Sequence, residues 1–418
     1  MSPSTPPTPS PPAPRLALML LALLSAFAMS QAFRTVTAIL APSLQADFGL
    51  TGQALGAFAG LFGLSFGVAQ LLMGIGVDVY GLRRTVLAAF SLAIAGSALS
   101  ALAPSYGWLM AGQLLIGVGC SPAFLASTLF VARHFPAERF AFFSGMSMGV
   151  GGLGLIFTGT PLAWVVQHWG WRVGYGVLTG LSLAAWLLVW RVVHEPPAAY
   201  APARAAGERE GWLQALSRMG ALLAVPHTWG ILVLGMSCYA AFLSLRGLWL
   251  GPLLIERFGF TLVGSGNVAL VLSLIALFTP AAFGRMDPGV RRRRAWIARA
   301  STLMAAFFVA LALLPGVAAA VATIVLMGLL SGYGVLQYAD VRASYPPELT
   351  GRALSLFTMA MFLGVALMQW FTGIVAAWAG AQGWEPYRAV MLAIAAWLAL
   401  ASLAFRRLPA SPLLGAGR

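Results

Sequence analysis

Long apolar stretches alternate with short polar connections along most of the chain, and this pattern predicts membrane-spanning helices. A helix needs about 20 apolar residues to cross the hydrocarbon core of a bilayer. Twelve stretches approach that length: residues 16–41, 51–73, 85–103, 107–131, 141–166, 172–193, 228–253, 261–283, 295–314, 317–341, 354–378 and 387–405. The pattern therefore predicts an all-α integral membrane protein with twelve transmembrane helices.

One long polar connection divides these spans into two groups of six. Residues 194–227 are rich in Pro and Ala and carry three adjacent charged residues, Glu208 to Glu210, as is typical of a linker. The first residues of the chain are rich in Pro, Ser and Thr and are expected to be disordered. The predicted order is a cytoplasmic tail at 1–15, an N-terminal six-helix bundle at 16–193, a cytoplasmic linker at 194–227, a C-terminal six-helix bundle at 228–405 and a cytoplasmic tail at 406–418.

The two groups of spans match each other at a fixed offset of 210 residues. The matching pairs are Pro42 with Pro252, Gly49 with Gly259, Thr51 with Thr261, Gly74 with Gly284, Arg83-Arg84 with Arg293-Arg294, Pro136 with Pro346 and Gly170 with Gly380. Chance coincidences rarely share one offset, so the pattern indicates two duplicated halves in the same orientation. Repeats of this kind are typical of secondary transporters.

The composition excludes several classes of protein. The chain is 60% hydrophobic and 9% charged, whereas a soluble domain carries about 25% charged residues. A soluble enzyme and a nucleic-acid-binding protein are therefore excluded. No metal cluster or pair of nucleophile and base lies within a span, so we expect no enzymatic activity, no metal and no cofactor. Cys120 and Cys238 lie within spans and are expected to be small buried apolar residues.

The basic residues predict the orientation in the membrane. All 25 are Arg. If both termini are cytoplasmic, twenty of them lie on the cytoplasmic side and three on the opposite side, as the positive-inside rule requires. We therefore predict a multi-pass protein of a bacterial inner membrane, surrounded by lipids, with both termini in the cytoplasm.

The loop after the second span carries a motif. It contains Gly74, Asp78, Gly81, Arg83 and Arg84, and this spacing resembles the signature between helices two and three of the major facilitator superfamily. The resemblance implies two pseudo-symmetric six-helix bundles around a central cavity, transport by alternating access, and a monomer. In that family the acidic residue contacts helix eleven and helps to lock the outward-facing state. The second half would complete this conformational latch with Gly284, Asp287, Arg293 and Arg294.

Two Arg residues lie inside spans, Arg34 in the first span of the first half and Arg246 in the first span of the second. An Arg at mid-helix costs about 2.5–3.5 kcal/mol on insertion scales, and no carboxylate lies on a nearby turn of either helix. An anionic substrate would neutralise them, and some organic-anion and organophosphate members of the superfamily are similar. The alternative is that both side chains extend to the outer interface.

Other polar residues within spans are weaker candidates. Gln113, Tyr239, Asn267 and Gln337 are candidates for lining the substrate cavity, although Gln113 is equally suited to a helix-helix hydrogen bond. Asp340, near the inner end of the tenth span, is a possible proton site, and the alternative is a local pair with Arg342.

These features predict a secondary active transporter for a small solute, most consistent with an organic anion. One alternative is an exporter of hydrophobic drugs or metabolites. A second alternative, from a different class, is a membrane sensor that transports nothing.

Overall fold

The computed structural model describes residues 13–135, 140–194 and 220–411, and these residues contain no strand. The helices are α1 (Ala13–Phe48), α2 (Gly52–Tyr80), α3 (Leu82–Ala101), α4 (Tyr106–Cys120), α5 (Pro122–His134), α6 (Phe140–Phe157), α7 (Thr160–Val192), α8 (Pro226–Ser244), α9 (Leu250–Pro252), α10 (Leu262–Arg285), α11 (Val290–Leu313), α12 (Val317–Ser331), α13 (Gly334–Ser344), α14 (Pro347–Ala381) and α15 (Pro386–Arg407). Two π-helical turns, Leu245–Trp249 and Leu253–Arg257, flank α9 and join it to α8.

These helices account for twelve crossings of a membrane. Within the described ranges, eleven helical segments are long and apolar enough to span one. The longest, Gly149–Val192, is broken at Gly170, where φ is 84° and ψ is 168°. Only Gly adopts such a conformation readily, so the segment divides into the predicted fifth and sixth spans. The prediction of an all-α membrane protein with twelve spanning helices is confirmed.

Each half of the chain packs around its own apolar core. Phe90, Phe130 and Tyr175 belong to the buried cluster of the first half, and Phe308 and Met391 belong to that of the second. The boundaries of the predicted domains remain predictions. Most of the predicted linker, residues 195–219, and the ends of the chain, residues 1–12 and 412–418, lie outside the described residues.

The duplication is visible in the backbone after the first span of each half. Gly49 and Gly259 have φ of 62° and 70°. Next to them, Thr51 Oγ1 accepts a hydrogen bond from the backbone N–H of Ala54, and Thr261 Oγ1 accepts one from that of Gly264. The same cap therefore begins the second span of both halves.

The predicted pairing of Gly170 with Gly380 is wrong. The connection before the sixth span of each half contains a Gly with positive φ, which is Gly170 at 84° in the first half and Gly383 at 73° in the second. Gly380 lies inside α14 instead.

The gapless offset also fails at the connection before the third span. Gly81 and Gly289, with φ of 89° and 80°, both precede the third span of their half, but they lie 208 residues apart. The residues equivalent to Arg83 and Arg84 are therefore Arg291 and Arg292, and their predicted pairing with Arg293 and Arg294 is wrong. Pro288 stands just before Gly289 and cannot continue α10, so this connection leaves its helix earlier.

The two bundles meet mainly away from the chain termini. We call the side where α1 begins and α15 ends the terminal side, and the opposite side the distal side. Helix α2 packs closely against α14, where a Cβ on Gly60 would lie 2.8 Å from the carbonyl oxygen of Ala366. Helix α1 approaches the π-helical turn equally closely, because a Cβ on Gly247 would lie 2.8 Å from the carbonyl oxygen of Arg34.

The terminal ends of the bundles are separated in the described part of the chain. Helices α5 and α13 form the terminal parts of the fourth and tenth spans, and each makes at most marginal contact with the opposite bundle. Helix α10 contacts α6 and α7 across the interface instead, and Asn267 Oδ1 accepts a hydrogen bond from Thr160 Oγ1 at 2.6 Å. The described contacts therefore join the bundles on the distal side, whereas α5 and α13 add little contact between the bundles on the terminal side.

Candidate functional site

Arg34 lies near the middle of α1, where the two bundles meet. Its guanidinium carbon is 4.8 Å from the ring centroid of Phe66 on α2 and 4.8 Å from that of Phe362 on α14. Arg34 Nη1 donates a long hydrogen bond to Tyr239 Oη at 3.4 Å, and Nη2 donates one to Ser30 Oγ at 3.5 Å. Because Phe66 and Phe362 come from opposite bundles, Arg34 is held between the bundles and does not extend to the distal interface.

Arg34 lacks a counter-charge among the described residues. The ion pairs found there are Arg172–Asp47, Arg257–Glu385, Arg293–Asp287 and Arg294–Asp340. The Arg34 side chain is only partly buried, and its Nε has no hydrogen-bond partner. Each cation–π contact contributes about 0.5–2 kcal/mol, which leaves the positive charge itself unneutralised. Arg34 is therefore a cation without a carboxylate partner among the described residues, and it lies next to the Tyr239 hydroxyl.

Arg246 is 2% exposed and lies in the first π-helical turn of its span. Its Nε and Nη2 donate to Ser273 Oγ on α10 at 3.2 Å and 3.0 Å. Nη2 also donates to the backbone carbonyl of Leu155 on α6, in the opposite bundle, at 3.0 Å. Arg246 therefore does not extend to the membrane interface either. A buried cation in this position is tied to the other bundle through a carbonyl dipole and not through a carboxylate.

Arg34 and Arg246 do not share a direct neighbour. Arg34 contacts α2, α8 and α14, whereas Arg246 contacts α6 and α10. A pair of hydroxyls links Arg246 to Thr35, the residue that follows Arg34, because Thr35 Oγ1 lies 2.6 Å from Thr158 Oγ1 and Arg246 Nη2 lies 3.5 Å from that same Thr158 atom. That both Arg residues grip one anion at the same time stays a prediction.

The other predicted binding residues are dispersed. Tyr239 joins Arg34, as described above. Gln113 is 1% exposed on α4, and its Oε1 has no partner. Asn267 bonds Thr160 across the distal end of the interface, and Gln337 lies inside the C-terminal bundle beside Asp340. The structure therefore brings only Tyr239 to Arg34.

Phe66 and Phe362 were not predicted as site residues. Each follows the same apolar pattern as the Phe residues that fill the cores, so the sequence alone gives no signal that separates them. Their ring centroids lie 4.1 Å apart, and only the packing of α2 on α14 places both rings against Arg34.

The predicted latch of the second half makes contacts inside its own bundle. Arg293 Nη2 lies 2.6 Å from Asp287 Oδ2, and Arg293 Nη1 donates to the carbonyl oxygen of Ala339 on α13 at 3.1 Å. The hydrogen bond from Arg293, reinforced by the Gly289 N–H, holds the pKa of Asp287 below its ordinary value of 3.8. Gly284 is exposed at the end of α10.

In the first half, Arg83 Nη2 donates to the carbonyl oxygen of Trp190 at 2.6 Å, and Arg84 is exposed. Gly74 and Asp78 lie on α2, but the surroundings of their side chains lie outside the described part of the molecule. The predicted contact of Asp78 with the eleventh span stays a prediction.

Asp340 pairs with a different residue from the one expected. It is 2% exposed, and its Oδ2 lies 3.5 Å from Arg294 Nη1 on α11. The predicted local pair with Arg342 is wrong, because residues two positions apart do not face each other on a helix, and Arg342 is exposed. Asp340 Oδ1 has no hydrogen-bond partner.

These features define a membrane protein of two six-helix bundles that meet at a cationic site. The sequence profile of the Major Facilitator Superfamily matches residues 22–341, and the chain belongs to this family. The family and the relatives described next are transporters, not enzymes, as the sequence predicted.

Two curated relatives illustrate the range of the family. The chain is 30% identical over 171 residues to the mouse solute carrier family 2 facilitated glucose transporter member 10, a match that covers 39% of this chain and 31% of the relative. It is 25% identical over 165 residues to the hexuronate transporter of Bacillus subtilis, with 39% of each chain covered. The matched segments thus span about a third of the length of these two relatives.

The likeness to solved structures extends over nearly the whole chain. A bacterial homologue of the human lysosomal transporter Spinster, in an inward-facing and occupied conformation, superposes with a TM-score of 0.74 and 17% sequence identity. This superposition covers 95% of this chain and 97% of that chain. At this identity the likeness shows the fold alone.

Proposed function

We propose that the chain is a secondary transporter that moves a small organic anion across a bacterial inner membrane by alternating access. The observation that carries this proposal is the site of Arg34. A cation without a carboxylate partner among the described residues lies between the bundles, against aromatic rings that come from both of them. Transporters with two related bundles bind their substrates near the membrane midplane, where the bundles meet.

The asymmetry of the interface supports alternating access. The described contacts close the distal side, and the terminal ends are apart. With cytoplasmic termini, as the Arg distribution predicts, this arrangement is the inward-open state. Rocking of the bundles about Arg34 would then open the distal side.

The chemistry of Arg34 supports an anion over a neutral solute. A guanidinium presents a planar fork of donors that matches carboxylate, sulfonate and phosphate groups. Some relatives are named for the transport of hexuronate, sulfoacetate and gallate. These three solutes are anions with such groups. Other relatives are named for glucose transport, so a neutral hexose is the competing substrate to test.

Glucuronate and glucose form a matched pair of probes, because the carboxylate is the main difference between them. We expect purified protein in proteoliposomes to catalyse counterflow of labelled glucuronate or of another anion from a panel with gallate and sulfoacetate, and to discriminate against glucose. A hydrogen bond to a charged group contributes about 1.5–3 kcal/mol, so Arg34→Gln should lower anion counterflow by about tenfold or more.

The controls separate a lost charge from a misfolded protein. Arg34→Lys keeps the charge and should retain part of the activity. Arg172→Gln removes an exposed Arg whose partners, Asp47 and Ala103, lie in its own bundle, and it should change little. Anion counterflow that survives Arg34→Gln would refute the anion site. Equal counterflow of glucose in the wild type and in Arg34→Gln would point to a neutral substrate. Export of hydrophobic compounds, or no flux of any probe, would favour the exporter or the sensor.

A further inference from the structure

Arg246 is a buried cation whose hydrogen bonds cross the interface between the bundles. It belongs to the C-terminal bundle, yet its Nη2 donates to the carbonyl oxygen of Leu155 in the N-terminal bundle at 3.0 Å. Its remaining short bonds go to Ser273 of its own bundle. Because Leu155 and Arg246 belong to opposite bundles, this bond would break if α6 and α10 separated.

The Arg246 side chain does not use all of its hydrogen-bond donors, even with the distal side closed. Arg246 Nη1 is buried and has no hydrogen-bond partner. Among the described residues, Arg246 also has no carboxylate partner. When the bundles part, Arg246 loses its acceptor in the other bundle and retains Ser273, so a positive charge becomes exposed to the distal solvent. Such a charge attracts anions from that side.

The local backbone allows this arrangement. Arg246 lies within the π-helical turn Leu245–Trp249, and π-helical turns often occur at functional sites. The following residue, Gly247, packs directly on the backbone of Arg34. The turn that carries Arg246 therefore lies directly against α1, the helix that carries Arg34.

We propose that Arg246 is a lock that holds the distal side closed, and that it becomes the anion-receiving residue when that side opens. Leu155 and an incoming anion then compete for the same guanidinium. An anion added on the distal side favours the open arrangement, because a ligand shifts an equilibrium toward the state that it binds better. Arg34 receives the anion on the terminal side, and Arg246 receives it on the distal side. The second half of this statement rests on the proposed anion transport, whereas the lock does not.

The lock can be tested without a substrate. Thr160 and Asn267 lie opposite each other across the distal interface, with Oγ1 and Oδ1 2.6 Å apart. In a chain with Cys120→Ala and Cys238→Ala, the changes Thr160→Cys and Asn267→Cys provide two thiols that a short bifunctional thiol reagent joins only when the distal side is closed. We expect rapid cross-linking in this background and cross-linking that is about tenfold slower after Arg246→Gln.

The chain offers a matched control. Arg257 lies in the same span, but its bonds go to Leu311, Ala312 and Glu385, all in its own bundle. Arg257→Gln should leave the cross-linking rate unchanged. A rate in Arg246→Gln equal to that of the background would overturn the lock, and so would an equal loss in Arg257→Gln. If Arg246→Gln does not elute as a monodisperse species, Arg246→Lys supplies a milder variant that keeps the charge but has one donor group to share.

The anion-receiving role of Arg246 is tested with glucuronate as the probe. Glucuronate added on the distal side of reconstituted protein should slow cross-linking in the background, and it should have no effect in Arg246→Gln. An equal effect in both would overturn this role. If no anion of the panel (glucuronate, gallate and sulfoacetate) is transported or changes the cross-linking rate, the anion-receiving role fails together with the proposed function. In that case the dependence of cross-linking on Arg246 still decides whether the lock exists.

Discussion

Glycine at the interface of α2 and α14 gives a prediction that can be calculated from the structure. A Cβ on Gly60 would lie 2.8 Å from the backbone carbonyl oxygen of Ala366 in the opposite bundle. Backbone cannot move aside as the end of a side chain can, so Gly60→Ala requires the two helices to separate. Overpacking of this kind costs about 1–3 kcal/mol, and this cost applies only while the distal side is closed.

The higher helix propensity of alanine does not change the ratio of the closed to the open arrangement. Alanine is favoured over glycine within a helix by about 0.8–1.0 kcal/mol, but α2 is helical in both arrangements of the bundles, so this gain does not shift the equilibrium between them. The steric cost of about 1–3 kcal/mol therefore remains and lowers the ratio of closed to open distal side by about 5-fold to 150-fold.

Cross-linking between the two thiols introduced by Thr160→Cys and Asn267→Cys measures this ratio. Gly60→Ala should slow the cross-linking, and Gly176→Ala should not, because a Cβ on Gly176 would have nothing within 4 Å. Gly67→Ala should have a smaller effect, since the nearest atom is a side-chain carbon, the Cβ of Phe362, at 3.3 Å. Equal rates in Gly60→Ala and Gly176→Ala would refute the reasoning.

Two further predictions concern carboxylates on the terminal side. The pKa of Asp287 is lower in the folded protein than its ordinary value of 3.8, so its contribution to stability is fully present above that value and is lost as the pH falls through the lower folded pKa. Thermal unfolding in detergent should therefore lose less stability on acidification in Asp287→Asn than in the wild type, and equal losses would exclude this pair as a source of acid sensitivity. Asp340→Asn should flatten the pH dependence of anion counterflow if Asp340 is a proton site, and an unchanged pH profile would remove it from that role.

The positions of the helices follow from the sequence, because a bilayer imposes a simple rule. Backbone polar groups in hydrocarbon must be bonded within the segment, so long apolar stretches become spanning helices. The repeat paired Thr51 with Thr261, and the structure shows that each caps the second span of its half. The rule weakens at connections, where the repeat does not keep its offset of 210 residues. The Gly residues before the third span, Gly81 and Gly289, lie 208 residues apart, and those before the sixth span, Gly170 and Gly383, lie 213 residues apart.

The interior Arg residues mark the limit of what spacing predicts. Their depth in the membrane could be read from the sequence, and a site for an anion was a reasonable hypothesis. The sequence did not reveal that Arg34 faces Phe66 and Phe362 while Arg246 reaches Leu155. A π-helical turn at Arg246 changes which face of the helix the side chain occupies, and no residue pattern announces such a turn.

The sequence by itself determined the class of protein, the twelve spans, the duplication and the presence of two unneutralised cations within the membrane. The tertiary structure decided which residues meet: Arg294 and not Arg342 beside Asp340, aromatic rings from both bundles beside Arg34, and a closed distal side. The physical reason is that hydropathy depends on each residue and its near neighbours along the chain. Contacts between helices depend instead on rotation and packing, which no single stretch of sequence specifies.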